Sequence, residues 1–304
     1  MYPTDGTDGE KLLKNADTAM YQAKERGRNA YQYFSAELNL KAEERLVMET
    51  NLRHALEKGE LLLYYQPWQD LESGRITGME ALLRWRHQNW GMVPPGSFIQ
   101  LAEETGLIIP IGEWVLHTAC SQLQTLRHAG YPSLRMAVNL SGRQLKNYPL
   151  AEILSNILQK TGIDPALLEL ELTEGSMMEN MEKSIALLRD VRKNGVRLAI
   201  DDFGTGYASL NYLKSFPVDK LKIDRSFITG IPHDPDDSTI TRTIIAMAES
   251  LKLEVIAEGV ETAEQMAFLR EHRCREIQGY LVSPPLPLNE LLDFLEKKCP
   301  KTAD

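Results

Sequence analysis

The stretch VRLAIDDFG, residues 196–204, decides how the rest of the chain is read. Val196, Leu198 and Ile200 alternate with Arg197, Ala199 and Asp201, the two-residue period of a strand whose faces meet different surroundings. A second acid, Asp202, follows at once, and Gly204 and Gly206 lie just beyond. Neighbouring strand residues point to opposite faces, so both acids can serve one site only if the chain leaves strand geometry between them. Taken alone, the segment is most simply a strand running into an Asp-capped turn.

The same pattern recurs along the chain. RMAVNLS (135–141), LLELELTE (167–174), KLKIDRS (220–226), LEVIAEGVE (253–261) and CREIQGY (274–280) are apolar strands, each followed by an amphipathic helical segment. LLLYYQPW (61–68) and RITGMEALLRW (75–85) flank the turn signal DLESG, which predicts an antiparallel pair. Repeating strand–helix units over this length favour a closed α/β barrel over an open sheet. The fold class expected is therefore a modified (β/α)8 barrel of about eight strands with an antiparallel strand at its start.

Parity along the strands locates a site. Glu80, Asn139, Glu171, Asp201, Lys222, Glu258 and Gln278 end them, while the alternate positions, such as Val138, Leu170, Ile200, Leu221, Ala257 and Ile277, are apolar. If the apolar set faces the helices, the polar set faces the lumen at the C-terminal mouth, where this architecture places its chemistry. Deeper on the same parity lie Arg135, Glu169, Arg197, Lys220, Glu254 and Glu276. These six either pair as a ring low in the barrel or splay into solvent at the strand starts.

Four carboxylates and two carboxamides converge on one mouth, and the carboxylates would repel without cations among them. Hard oxygen ligands suit Mg²⁺ or Mn²⁺ rather than zinc. With Asp202 added there are enough oxygens for two ions sharing a ligand, the arrangement that serves phosphoester hydrolysis. The letters DFG also occur in the kinase magnesium loop, but no GxGxxG or HRD motif accompanies them here.

Composition narrows the function classes. The chain has 304 residues, 43% hydrophobic and 25% charged, with a net charge of −9, which argues against a nucleic-acid polymer as partner. The three cysteines are odd in number and widely spaced, and the histidines are scattered without HExxH spacing. Neither a signal peptide nor a membrane-length apolar run is present, so a cytoplasmic location without membrane contact is expected for this piece, a membrane-anchored parent protein staying open. Residues 10–26 read as a helix stopped at Gly27, and NAYQYF as a short strand. Together these resemble the end of a domain whose body is missing, joined onward by a second helix over about 36–58.

GMEALLRWRH, VNLS, LELELTE, DDFGTGYASL, KLKIDRSFI, AEGVE and QGYLVSPP, in this order over residues 45–298, resemble the EAL-domain phosphodiesterases of bacterial cyclic di-GMP signalling. The resemblance implies Mg²⁺- or Mn²⁺-dependent hydrolysis of cyclic di-GMP to linear pGpG, inhibited by Ca²⁺. It implies Glu80, Asn139, Glu171 and Asp201 as ligands of one metal, and Asp201, Asp202 and Glu258 as ligands of a second. Lys222 is implied to contact the catalytic water, with Gln278 beside it and Glu174 steadying the DFGTG loop. Gln66, Leu82, Arg84, Asn139, Asp202 and Glu261 are implied substrate contacts. Ala208 stands where many relatives carry serine.

The opening, YPTDG to NAYQYF, resembles the end of a GGDEF domain without its signature loop. The expected organisation is a GGDEF remnant over 1–34, a helical linker over 35–50 and an EAL domain over 51–304, with upstream GGDEF and sensor domains in the parent chain. Pairing of barrels into a homodimer is also implied. The competing reading is a catalytically weak module that serves as a cyclic di-GMP receptor, or, more remotely, a barrel hydrolase acting on another phosphodiester.

Overall fold

A computed structural model describes residues 1–25, 29, 31–146, 148–178, 180–206 and 213–298. Gly27, Ala208 and Cys299 lie outside the described residues. The barrel strands are β1 (Leu61–Asp70), β2 (Ile76–His87), β4 (Arg135–Asn139), β5 (Leu168–Thr173), β6 (Arg197–Phe203), β7 (Lys220–Ile223), β8 (Glu254–Ala257) and β9 (Glu276–Gln278). Strands β2 and β4 to β9 run parallel, and β1 closes the ring by pairing antiparallel with both β2 and β9. The modified (β/α)8 barrel with its antiparallel opening is what the sequence predicts. A short strand that the pattern did not announce, β3 (Gly91–Val93), pairs only with the outer end of β2.

The apolar parity is buried throughout: Met136, Val138, Leu170, Leu198, Ile200, Leu221, Val255, Ala257 and Ile277 all face the surrounding helices. Those helices start where local chemistry demands. Asp234 accepts hydrogen bonds from the backbone N–H groups of Asp236 and Asp237 ahead of Pro235–Ser250, and Thr262 with Gln265 forms a capping box ahead of Ala263–Glu271.

The lumen is filled in layers supplied by alternate strands. The lowest charges close into a ring. Arg135 pairs with Glu276 at 2.5 Å, Glu276 with Lys220 at 3.0 Å, and Lys220 with Glu169 at 2.8 Å. Glu169 pairs with Arg197 at 3.4 Å, Arg197 with Glu254 at 2.8 Å, and Glu254 with Arg135 at 2.9 Å. Glu169, Lys220 and Glu276 are fully buried, so the solvent alternative fails. Above the ring Trp68, Ala137 and Ile256 form a small apolar cluster separate from the main core.

Several expectations change. Of the seven expected strand enders Asn139 and Gln278 close their strands, whereas β5, β6 and β7 run one or two residues past Glu171, Asp201 and Lys222, β2 runs on past Glu80 to pair with β1 and β3, and Glu258 lies one residue beyond β8. NAYQYF is no strand over its described residues 29 and 31–34: among the described residues no strand pairs with it, and Tyr31 and Tyr33 are exposed with their rings edge to face at 5.4 Å. The helix Gly9–Glu25 precedes it, and the following helix Ala36–Ala55 docks its last turns through buried Leu52 and Ala55.

Gly78 is required by the lumen plug. A Cβ there would come within 2.3 Å of Trp68 Cζ2 and 2.7 Å of the Arg135 carbonyl oxygen. Gly78→Ala should destabilise the fold by about 1–3 kcal/mol, read as a lower denaturant midpoint at unchanged slope.

Candidate active site

Above the plug, Glu80, Asn139, Glu171, Asp201, Lys222, Glu258, Gln278 and Gln66 come together, and the register sets Asn139 beside Glu171 and Gln66 beside Glu80. The Lys222 ammonium is the hub. Its Nζ lies 2.6 Å from Glu258 Oε1, 2.7 Å from Glu171 Oε2, 3.2 Å from Asp201 Oδ1 and 3.5 Å from Glu80 Oε2. Glu80 is further held by Asn139, which donates from Nδ2 at 2.6 Å, and by Gln278, which donates from Nε2 at 2.6 Å. Gln278 also donates to Gln66 Oε1 at 3.2 Å, and Gln66 donates to the Ser283 carbonyl at 3.2 Å.

The paired acids solve their facing problem through the backbone. Asp202 adopts a positive φ of 53°, in the left-handed region, and its N–H donates to Asp201 Oδ1 at 3.0 Å. This single departure from strand geometry turns the second carboxylate to the side of the first. Asp201, Asp202 and Glu258 each offer an oxygen within 4.8 Å of the others, a group able to hold a cation. Glu174 accepts from the Gly204 N–H at 3.1 Å, and a Cβ at Gly206 would fall 2.4 Å from Glu174 Oε1. A side chain at position 206 would therefore push the Glu174 carboxylate from its present place.

One ammonium cannot neutralise five carboxyl groups, and their proton affinities record the deficit. Burial tends to raise Glu80, but the Lys222 charge and the hydrogen bonds from Gln278 and Asn139 outweigh it and hold Glu80 low. Burial pushes Glu171 well above the carboxylate range against the pull of Lys222, and carries Glu258 to about 8, with Asp201 and Glu80 adding to both. Burial and then the Asp201 charge raise Asp202. Burial opposes the charge on Lys222, yet Asp201, Glu171 and Glu258 keep its pKa well above the ordinary value. Acids forced to retain protons in this way, all oxygen donors with two carboxamides beside them, suit hard divalent cations.

The implied substrate contacts divide. Leu82 and Arg84 line a cavity of about 290 Å³ that also reaches Asn139 and Thr173, and the Arg84 guanidinium stands 5.6 Å from the centre of the Tyr64 ring. Glu261 lies outside this convergence: it is exposed and bound to Arg225 Nη2 at 2.8 Å. Tyr64 and Trp68 escaped the sequence reading. Extending the parity rule to β1 finds both, since 64, 66 and 68 share the face of Gln66.

The EAL domain family profile matches residues 49–285. The cyclic di-GMP phosphodiesterase NbdA of Pseudomonas aeruginosa is 48% identical over 295 residues, 97% of this chain and 38% of that protein. The bifunctional diguanylate cyclase/cyclic di-GMP phosphodiesterase MucR of the same organism is 44% identical, covering 96% of this chain and 43% of that protein. A solved structure of the P. aeruginosa MucR phosphodiesterase in complex with cyclic di-GMP superposes with a TM-score of 0.78 at 43% identity, over 81% of this chain and 99% of that one. The chain thus spans about two fifths of the length of these curated relatives. Barrel, motifs and matched residues agree: the chain belongs to the EAL domain family.

Proposed function

We propose that this chain hydrolyses cyclic di-GMP to linear pGpG at the mouth built around Glu80. The observation that carries the reading is the convergence of Glu80, Asn139, Glu171, Asp201, Asp202 and Glu258 on one side of the barrel around the Lys222 ammonium. Glu80, Asn139, Glu171 and Asp201 would hold one Mg²⁺ or Mn²⁺, and Asp201, Asp202 and Glu258 a second. Bound there, the ions lower the pKa of water and offset charge on the phosphodiester.

The protein's own groups do the rest. Lys222 orients the attacking water and adds positive charge beside the phosphate. Gln278, fixed between Glu80 and Gln66, aligns both. Arg84 and Leu82 line the cavity that would take part of the dinucleotide. Water adds to phosphorus, the bond to one ribose 3′ oxygen breaks, that oxygen takes a proton, and the 5′-phosphate remains on the linear product. Ca²⁺ should inhibit, being larger and tolerant of irregular coordination.

The remaining organisation follows from the family reading. Residues 1–34 are the end of a GGDEF domain and 35–50 a linker, the parent chain carries further GGDEF and sensor domains, and the barrels pair as homodimers in the cytoplasm. Partial coverage of longer relatives supports a multidomain parent. Among the described residues no helix is long and apolar enough to cross a membrane.

Purified protein with Mg²⁺ should convert cyclic di-GMP to pGpG, with Glu80→Ala abolishing turnover; binding without product after long incubation in Mg²⁺ or Mn²⁺ would establish the receptor reading instead. Lys222→Ala should lower kcat by about 10²-fold or more while weakening substrate binding little, and equal losses would make it a phosphate anchor. Glu258, with its pKa at about 8, is protonated at neutral pH and must lose that proton to bind a cation. Mn²⁺ affinity should therefore rise with pH up to about 8, with proton release at pH 7 detectable by calorimetry in buffers of differing ionisation enthalpy.

A further inference from the structure

The ring of six charges below the site takes no part in the proposed chemistry, yet its members are joined throughout by ion pairs. It is neutral, three cations against three anions, and every member touches two neighbours of opposite sign. Barrels of this kind ordinarily fill such a layer with Val, Ile and Leu. Ion pairs as deeply buried as those of Lys220 with Glu169 and Glu276 seldom stabilise more than apolar residues of the same volume, because both charges lose their water. The buried half of the ring is therefore poorly explained as a source of stability. What it does provide is direction: an ion pair fixes the relative height of two strands far more sharply than aliphatic contact.

The strands it fixes are those that deliver the site. Glu169, Lys220 and Glu276 each lie two residues below Glu171, Lys222 and Gln278 on β5, β7 and β9. Arg135, Arg197 and Glu254 each lie four residues below Asn139, Asp201 and Glu258 on the chains of β4, β6 and β8. At about 3.3 Å per residue, each mouth residue stands only about 7 or 13 Å above its anchor. Lys220 is the keystone. It joins β5 to β9 across β7 through Glu169 and Glu276, and its Nζ lies 4.5 Å from the centre of the Trp68 ring. Trp68 in turn pairs in register with Gln278 and packs on Gly78, two residues before Glu80.

We propose that the ring, with Lys220 at its centre, is a positioning device for the metal site. It sets the heights of six strands so that the carboxylates, Lys222 and Gln278 meet at the mouth, and Trp68 transmits that setting to Glu80. The members are positioning residues and contact neither substrate nor metal. The inference rests on the proposed function, since it presumes that the mouth binds metal.

The test is the double variant Lys220→Met with Glu276→Gln, which leaves two cations, Arg135 and Arg197, against two anions, Glu169 and Glu254. Full-length chain is titrated with Mn²⁺ by electron paramagnetic resonance, alongside thermal unfolding and steady-state kinetics. The variant should unfold at or above the wild-type temperature, bind Mn²⁺ about 10-fold or more weakly, and lose about 10²-fold in kcat with KM little changed, the scale expected for ångström misplacement. Wild-type Mn²⁺ affinity and kcat in the folded variant would overturn the proposal and leave the ring a structural filler. If the double variant does not fold, Glu254→Gln at the more open side of the ring should weaken Mn²⁺ binding in the same direction; unchanged binding would again overturn it. A wild-type protein that binds no Mn²⁺ would instead refute the proposed function itself.

Discussion

Everything at the mouth of this barrel depends on one ammonium placed among carboxylates. Lys222 lies within 3.5 Å of oxygens from Glu80, Glu171, Asp201 and Glu258, each from a different strand or strand end. Without a cation at that point the four groups could not approach in a buried setting, because like charges at low dielectric repel by several kcal/mol. Even so the balance remains negative, and Glu171, Glu258 and Asp202 respond by rising toward the protonated form. The site is thus assembled with an appetite for further positive charge, while against burial the Lys222 charge, joined by the amide donors Gln278 and Asn139, holds Glu80 in its ionised state.

The layering beneath explains how such a cluster can sit in a folded protein. The lower ring is neutral and closes on itself, so it places no net field on the mouth beyond that of its alternating pairs. The buried apolar cluster of Trp68, Ala137 and Ile256 lies between the two charged groups. Charge imbalance is therefore concentrated at the open end, where a solute can reach it. The turn at Asp202 adds the last carboxylate by leaving strand geometry for one residue, and Glu174 braces the loop that follows.

Much of this was legible in the sequence, for a physical reason. A strand in a barrel has two faces with opposite demands, so parity alone separates Ile200 and Leu198 from Asp201 and Arg197, and the barrel, the mouth and the lower ring all follow. What stayed hidden depended on partners distant in sequence. β3 exists only because β2 runs on beyond the mouth, and NAYQYF fails as a strand where, among the described residues, no strand pairs with it. Tyr64 and Trp68 share the face of Gln66 and lie within reach of parity, but the register placing Trp68 opposite Gln278 and Gly78 cannot be read from local pattern. Glu261 shows the converse: its motif is intact, yet its side chain turns to Arg225 rather than to the mouth. The positive φ at Asp202, which gives the second acid its purpose, is a backbone fact that the letters DD do not contain.

The central claim is that Asp201 is shared between two cations at the mouth. Electron paramagnetic resonance of the protein loaded to saturation with Mn²⁺ tests it most directly. The account predicts two ions per chain with the exchange-coupled signal of a bridged pair, reverting to an isolated-ion signal in Asp201→Asn. A single uncoupled Mn²⁺ in the wild-type protein would contradict it.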